Sequence, residues 1–316
     1  MAADILCLGV VVADAVGVGI DEWPREGSLL VFDRVEMHLG GCPANTAVAL
    51  ARLGIRAGVA AKVGADGLGE FVRATLAHNG VDIRGLKVSR DRRDATSFSF
   101  IMVPSSGNRR IYHTLGANGT FSSEDVDAQL FRGVKWAAFG CLSLMPGLFG
   151  RRLAKLLKAA RKAGARTAGD TALNSRLLSW EPVLRGCWEH LDVFFPSEEE
   201  ASRLTGLSNP REICRFFRDR GVRIAGVKLG ERGCAVACDD GYEVIPSYKV
   251  QCRDTTGAGD CFMAGLLAGL LKGRHPFDAA RMGNAVAAFC VQAVGATTGV
   301  QKLAKVEAFM KKARTR

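Results

Sequence analysis

Short apolar runs, each followed by a helical pattern, recur from one end of this chain to the other, and that beat limits the fold more than any other feature. The first run is Ile5-Leu6-Cys7-Leu8-Gly9-Val10-Val11. Pro43 to Leu53 then reads as a helix closed by Gly54, Val59 to Val63 as a strand, and Leu68 to His78 as a helix ended by Asn79-Gly80. Glycine or asparagine after the last apolar position is a helix stop. Apolar runs at Trp136 to Phe139, Arg166 to Asp170, Val193 to Phe195 and Ala225 to Leu229 continue the beat. Between the first two lies a basic amphipathic helix from Leu148 to Ala163. The region Tyr242 to Val250 leads into Asp254. An apolar helix follows Gly259 to about Leu271, then a second from Phe277 to Ala293, then a basic tail helix. Strands without a polar face, separated by helices, predict α/β layering around a mostly parallel sheet.

One stretch breaks the beat. Thr96 to Val103 alternates like a strand with one wet face, and Ser105-Ser106-Gly107-Asn108 turns it back into Arg110-Ile111-Tyr112. Segments 15–39 and 95–116 are therefore expected to form a small sheet covering one face of the main body. Neither an internal repeat nor a low-complexity linker interrupts residues 1–316, which read as one domain.

With 316 residues, 48% hydrophobic and 24% charged, the chain can bury a full core, which excludes disorder, collagen and a disulfide-stapled miniprotein. No apolar run reaches the roughly 18 residues that a spanning helix needs. Ile5 to Ile20 contains Asp14 and lacks a basic leader and cleavage pattern, so it reads as a strand entering a loop. Neither membrane nor export is expected. Ten cysteines sit mostly among apolar neighbours, which predicts reduced core thiols and a cytoplasmic setting. Cys234, Cys238, Cys252 and Cys261 lack the paired spacing of a zinc site.

The net charge is +11. Its lysines and arginines spread over 151–166, 211–223 and 302–316 at helical spacing with little aromatic interleaving, so they read as solvated helix faces and not as a nucleic-acid site. A phosphate-bearing ligand needs only a local positive field, and stays open.

Two segments could carry chemistry. Asp254-Thr255-Thr256-Gly257-Ala258-Gly259-Asp260 joins a strand end, a glycine-rich turn and a helix start. Successive amides there make an anion cradle, reinforced by the helix dipole. Asp260 beside it could take a proton from a hydroxyl attacking a phosphate; an ordinary glycine turn with a helix-start acid would look the same. In Gly40-Gly41-Cys42-Pro43-Ala44-Asn45-Thr46-Ala47, paired glycines precede a proline-started helix, and Asn45 offers a donor and an acceptor to polyol hydroxyls. Asp14 follows the first strand, at the edge where open α/β sheets bind ligands.

GGCPANTA and DTTGAGD stand in the order and separation of the two signatures of the ribokinase-like (PfkB) carbohydrate kinases, and the chain resembles that family from about Asp4 to Val306. Gly64-Ala65-Asp66-Gly67-Leu68-Gly69 is similar to its GxDxxG turn, and Gly116-Ala117-Asn118 and Lys228-Leu229-Gly230-Glu231-Arg232-Gly233 to related segments. The resemblance implies a three-layer α/β/α, Rossmann-like fold with a mostly parallel central sheet and a small β-sheet lid made by the 15–39 and 95–116 segments.

It also implies roles. Asp260 matches the general base, and Gly257, Ala258 and Gly259 the anion hole. Asp14, Gly40, Gly41 and Asn45 match the contacts to sugar hydroxyls. Lys228, Gly230 and Gly233 match the nucleotide loop, and Asn284 a residue on the adenine side. Asp254, Thr256 and Gly295 match ligands of a monovalent cation, expected to be K⁺. Ser197-Glu198-Glu199-Glu200 stands where the family has Asn-x-x-Glu, so Glu200 matches a group reaching Mg²⁺ through water, with Ser197 in the asparagine's place. Ser-x-x-Glu is also a capping box. Asp170, at a strand end, is a further candidate for that network.

The expectation is an ATP-dependent, Mg²⁺-dependent phosphotransferase acting on a hydroxyl, primary by preference, of a sugar or sugar derivative. Alternatives are a nucleoside kinase of the same fold and a non-catalytic sugar- or nucleotide-binding regulator. A homodimer through the lid is allowed.

Overall fold

The computed structural model describes residues 2–91, 93–105, 110–174, 176–177 and 179–316. The chain opens with strands β1 (Ile5–Gly9), β2 (Val12–Val18) and β3 (Arg34–Gly40), then helix α1 (Cys42–Leu53), β4 (Ala57–Val63), α2 (Gly67–His78) and β5 (Asp82–Val88). A hairpin of β6 (Phe98–Val103) and β7 (Arg110–Thr114) precedes the short α3 (Ala117–Thr120) and β8 (Trp136–Gly140). There follow α4 (Arg151–Lys162), β9 (Arg166–Gly169), α5 (Glu181–Leu184), β10 (Val193–Phe194), α6 (Glu198–Thr205), α7 (Pro210–Arg218) and β11 (Ile224–Lys228). The last elements are β12 (Cys234–Cys238), β13 (Gly241–Ile245), α8 (Ala258–Leu271), α9 (Pro276–Cys290) and α10 (Leu303–Lys312).

Nine strands form one sheet in the order β13-β12-β11-β10-β9-β8-β1-β4-β5, parallel from β11 through β5. From β1 the chain winds outward to β4 and β5 on one side, then returns to β8 and winds outward on the other. The β1–β8 boundary is therefore the switch point of the sheet, the place where α/β folds leave a crevice at the carboxyl ends of their strands. Along β1, Ile5 and Cys7 face a core shared with α1, α2, α8 and α9, while Leu6 and Leu8 face a second core shared with α4, α6 and α7. Three layers follow from a strand with two apolar faces.

A separate sheet of four strands, β3-β2-β6-β7, uses the segments that the alternating pattern set apart. The proposed turn at Ser106-Gly107-Asn108 lies outside the described residues. Met37, Ile111 and Tyr112 of this sheet are exposed. The basic helices behave as solvated faces: Arg151, Arg152, Lys155 and Lys158 are exposed on α4, while Leu153, Leu156 and Leu157 are buried. Among the described residues no helix is long and apolar enough to cross a membrane.

Three expectations need correction. The helix expected from Leu148 begins only at Arg151, because Pro146–Leu148 forms a 3₁₀ turn and Gly150, at φ 59°, starts α4. The region Tyr242 to Val250 was expected as one strand leading into Asp254, yet β13 ends at Ile245 and is preceded by a further strand, β12, with which it forms an antiparallel pair at the sheet edge. The tight Gly230–Arg232 turn returns the chain before any helix can form. Finally, the cysteines are not all free. Cys42 and Cys141, 99 residues apart, are joined as a disulfide, because the switch point brings the start of α1 over the end of β8, a contact that no local pattern reveals. The other eight are thiols, and Cys252 is the exposed one.

Candidate active site

The residues singled out above converge on the carboxyl ends of β1, β8, β9, β10 and β11. At one edge, β3 runs into Gly40 and Gly41 and straight on into α1. Gly41 has φ 95°, and a Cβ there would collide with the Val10 carbonyl; a Cβ on Gly40 would strike the Asp14 carboxylate. Gly41 therefore requires glycine, and at Gly40 the Asp14 carboxylate fills the space where a side chain would stand. Pro43 occupies the first turn of α1, where its missing N–H costs nothing.

That first turn delivers Asn45, which is 7% exposed. Its Nδ2 donates to Asp260 Oδ2 at 2.8 Å, and the Thr46 hydroxyl donates to the Asp260 carbonyl at 3.3 Å. Asp260 sits in the first turn of α8, whose N-cap Gly257 has φ 73°, with no room for a side chain against Ala296. The cradle of Gly257, Ala258 and Gly259 thus opens at a helix N-terminus with an acid at its rim.

Behind the cradle lies a buried charge cluster. Lys228 Nζ donates to Asp170 Oδ2 at 2.6 Å, with the two side chains 14% and 6% exposed. A Cβ placed on Gly259 would be 3.3 Å from that ammonium, so Lys228 lies beside the cradle as well as beside Asp170. Glu200 Oε2 accepts from the Thr171 hydroxyl at 3.0 Å and from the Ser197 amide at 2.8 Å. The Glu200 amide donates back to Ser197 Oγ at 3.4 Å, which completes a capping box on α6. Serine therefore serves the helix end, and Glu200 is buried and turned toward the cluster.

Burial pushes the Asp170 carboxyl up to about 7, with Glu200 and Asp260 adding to the rise and Lys228 opposing it. Asp260 is raised to about 6 by burial, with Glu200 adding, while the Asn45 hydrogen bond and Lys228 pull it back. Burial works against the Lys228 ammonium, but Asp170, Glu200 and Asp260 outweigh it and hold its pKa above the ordinary value. A carboxylate near 6 is poised to accept a proton at neutral pH. Three acids around one lysine also leave an excess of hard oxygen donors, the chemistry that suits a magnesium ion and its waters.

The residues expected on the nucleotide side lie along β11, the turn after it and α9. Gly230 (φ 60°) and Gly233 (φ 95°) shape the turn after Lys228, and the Leu229 amide donates to the Gly233 carbonyl at 2.8 Å. Asn284 is buried on α9, and its amide group donates to the Ile245 and Pro246 carbonyls at 3.2 and 3.1 Å. It thereby holds the loop after β13. Asp254 Oδ1 accepts from the Thr256 amide at 2.9 Å and hydroxyl at 2.7 Å, and Oδ2 accepts from the Gly295 amide at 2.9 Å. Asp254, Thr256 and Gly295 are thus tied into one junction between two loops.

The Asp170–Lys228 pair and the roles of Thr46 and Thr171 are what sequence reasoning missed. The available signal was an Asp-Thr at the carboxyl end of a buried strand. A different donor group, Cys238, Asp240 and His275, lies at the β12–β13 and α8–α9 turns, at the opposite ends of those elements.

A family model described as pfkB family carbohydrate kinase matches residues 2–303. Fructokinase-1 of Zea mays is 30% identical over 241 residues, 74% of each protein. The ribokinase of Haemophilus influenzae is 29% identical over 314 residues, covering 95% of this chain and 96% of that one. Among solved structures, the ribokinase of Thermotoga maritima superposes with a TM-score of 0.82 at 25% identity, over 98% of this chain and 100% of its own. Arabidopsis thaliana ribokinase complexed with ribose and ATP superposes with a TM-score of 0.83 at 25% identity, over 98% and 99%. Family model, relatives and fold agree, and the chain belongs to the pfkB family of carbohydrate kinases.

Proposed function

We propose that the protein transfers the γ-phosphoryl group of ATP to a primary hydroxyl of a sugar or sugar derivative, with Asp260 as the general base. The observation that carries this reading is the placement of Asp260, raised to about 6, between Asn45 and the Gly257–Gly259 cradle.

In this reading Asp14, Gly40, Gly41 and Asn45 hold the acceptor's hydroxyls, and Asp260 takes the proton as the acceptor oxygen attacks the γ-phosphorus. The amides of Gly257, Ala258 and Gly259 receive the charge on the phosphoryl oxygens, and Lys228 adds a fixed positive charge beside them. Gly230, Gly233 and Asn284 shape the nucleotide side. Mg²⁺ would neutralise phosphate charge when bound, held through water by Glu200 with Asp170 nearby and Ser197 keeping Glu200 in place. Asp254, Thr256 and Gly295 are assigned to K⁺. Arabidopsis thaliana ribokinase, to which this chain is similar in structure, has been solved with ribose and ATP bound, which supports the substrate classes by analogy.

The chain is read as one kinase domain whose 15–39 and 95–116 segments act as a lid. Closure would exclude water, the competing acceptor. The exposed apolar side chains of that sheet favour pairing with a second subunit there. A cytoplasmic setting fits the supply of ATP.

The test is ATP consumption with Mg²⁺ and K⁺ against ribose, fructose, 2-keto-3-deoxygluconate, sugar phosphates, adenosine, inosine and cytidine. Phosphorylation of a sugar supports the assignment. Phosphorylation of a nucleoside alone overturns the substrate class and keeps the chemistry, and ATP binding without turnover on any acceptor points to a regulator.

A further inference from the structure

The disulfide between Cys42 and Cys141 lies at the switch point of the sheet, where Gly9 of β1 pairs with Gly140 of β8. Cys42 is the first residue of α1 and partly exposed, whereas Cys141 is 3% exposed. Among the described residues, Cys141 is the one non-glycine with positive φ, at 55°. L residues keep such a conformation only where surroundings hold them in it. Here the restraints are the bond itself and the Cys42 amide, which donates to Cys141 Sγ at 3.4 Å.

Each end of the bond leads into a different half of the site. From Cys42, one turn of α1 reaches Asn45 and through it Asp260. From Cys141, the Leu142 amide donates to the Asp170 carbonyl at 3.3 Å, and Asn174 Nδ2 donates to the Ser143 carbonyl at 2.8 Å. Asp170 in turn holds Lys228. Cys42, Pro43, Gly140, Asp170 and Met263 line one small cavity, so the Cys42 end of the bond and Asp170 border the same space.

We propose that Cys42 and Cys141 form a reversible thiol–disulfide site that controls how firmly the acceptor loop and the 141–148 loop are held together: tight as the disulfide, loosened as the dithiol. A helix N-terminus stabilises a thiolate at Cys42, which makes it the attacking sulfur. Its thiolate attacks a small-molecule disulfide, forming a mixed disulfide and releasing one thiolate. Cys141, deprotonated, then attacks the Cys42 sulfur and expels the second. Two protein thiols and one small disulfide thus become one protein disulfide and two small thiols, and a dithiol reverses the exchange. Eight further cysteines remain thiols, seven of them buried, so this is one bond at a site and not a disulfide framework. In a reducing cytosol, isolated disulfides are usually transient and catalytic or redox-sensing. The kinetic part of the proposal rests on the acceptor reading given above.

The test compares the full chain equilibrated with glutathione disulfide and with reduced dithiothreitol. Differential alkylation with peptide mapping should find Cys42 joined to Cys141 in the first sample and both alkylated in the second. Amide exchange in 40–46 and 141–148 should quicken on reduction. The acceptor KM should rise about threefold to tenfold, with the ATP KM changed by less than about twofold. Cys141→Ser should behave as the reduced protein under both conditions. The proposal is overturned if both cysteines stay alkylatable in glutathione disulfide, if Cys252 alone reacts, or if the bond forms without changing exchange in either loop. Should no acceptor turn over, the kinase reading fails while mapping and exchange still decide the thiol site.

Discussion

Asn45 Nδ2 and Asp260 Oδ2 meet at 2.8 Å, although 215 residues separate them in sequence. The contact joins the first turn of α1 to the first turn of α8, and so ties the Gly40–Asn45 loop to the Gly257–Gly259 turn. In Asn45→Ala, the acceptor KM should rise by about tenfold, the worth of one charge-assisted hydrogen bond, with a smaller change for ATP. Equal changes in both constants would detach the GGCPAN loop from the acceptor.

The pH dependence follows from the same pair. A base works only when deprotonated, and Asp260 is raised to about 6, chiefly by burial. The rate at limiting acceptor should therefore be level above neutrality and fall tenfold per unit as pH drops below about 6. The Asn45 bond lowers this pKa, so Asn45→Ala should move the acid limb to higher pH. A wild-type profile that stays flat down to pH ~5 would contradict a raised Asp260.

Lys228 and Asp170 make a stability prediction. With the lysine removed in Lys228→Met, Asp170 is left buried beside Glu200 and Asp260 without its cation, and unfolding free energy should drop by about 3 kcal/mol at pH 8. Asp170 is already pushed up to about 7 by burial. It gains protons more readily in the folded state, so the penalty should shrink as pH falls below neutrality. The double variant Asp170→Asn/Lys228→Met should recover part of the loss. Urea midpoints at pH 6 and 8 check both statements, and a loss independent of pH would contradict them.

Much of this molecule was legible because local chemistry writes it plainly. The glycine after Leu53 ends α1, the glycine-rich run before Asp260 starts α8, and uninterrupted apolar runs mark β1 and β8. Asp260, Asn45 and the Gly257–Gly259 turn could be singled out for the same reason: each belongs to a short segment whose residue types suit one task. What stayed hidden depends on contacts between distant segments. Lys228 finds Asp170 across 58 residues, and Cys42 finds Cys141 across 99, because parallel crossovers bring the same ends of successive strands to one edge. No periodicity records such a meeting. β12 was missed for another reason: Cys234–Cys238 is a buried apolar run, but it follows β11 after only the short Gly230–Arg232 turn, where the alternating strand–helix beat leads one to expect a helix.

The central claim is that Asp260 removes the proton from the acceptor hydroxyl. The most direct measurement is steady-state phosphoryl transfer from ATP to the best acceptor by the wild type and by Asp260→Asn, with ATP affinity determined separately by calorimetry. Turnover should fall by at least about a hundredfold while the Kd for ATP stays within about twofold. Turnover within a few-fold of wild type would remove Asp260 from the chemistry.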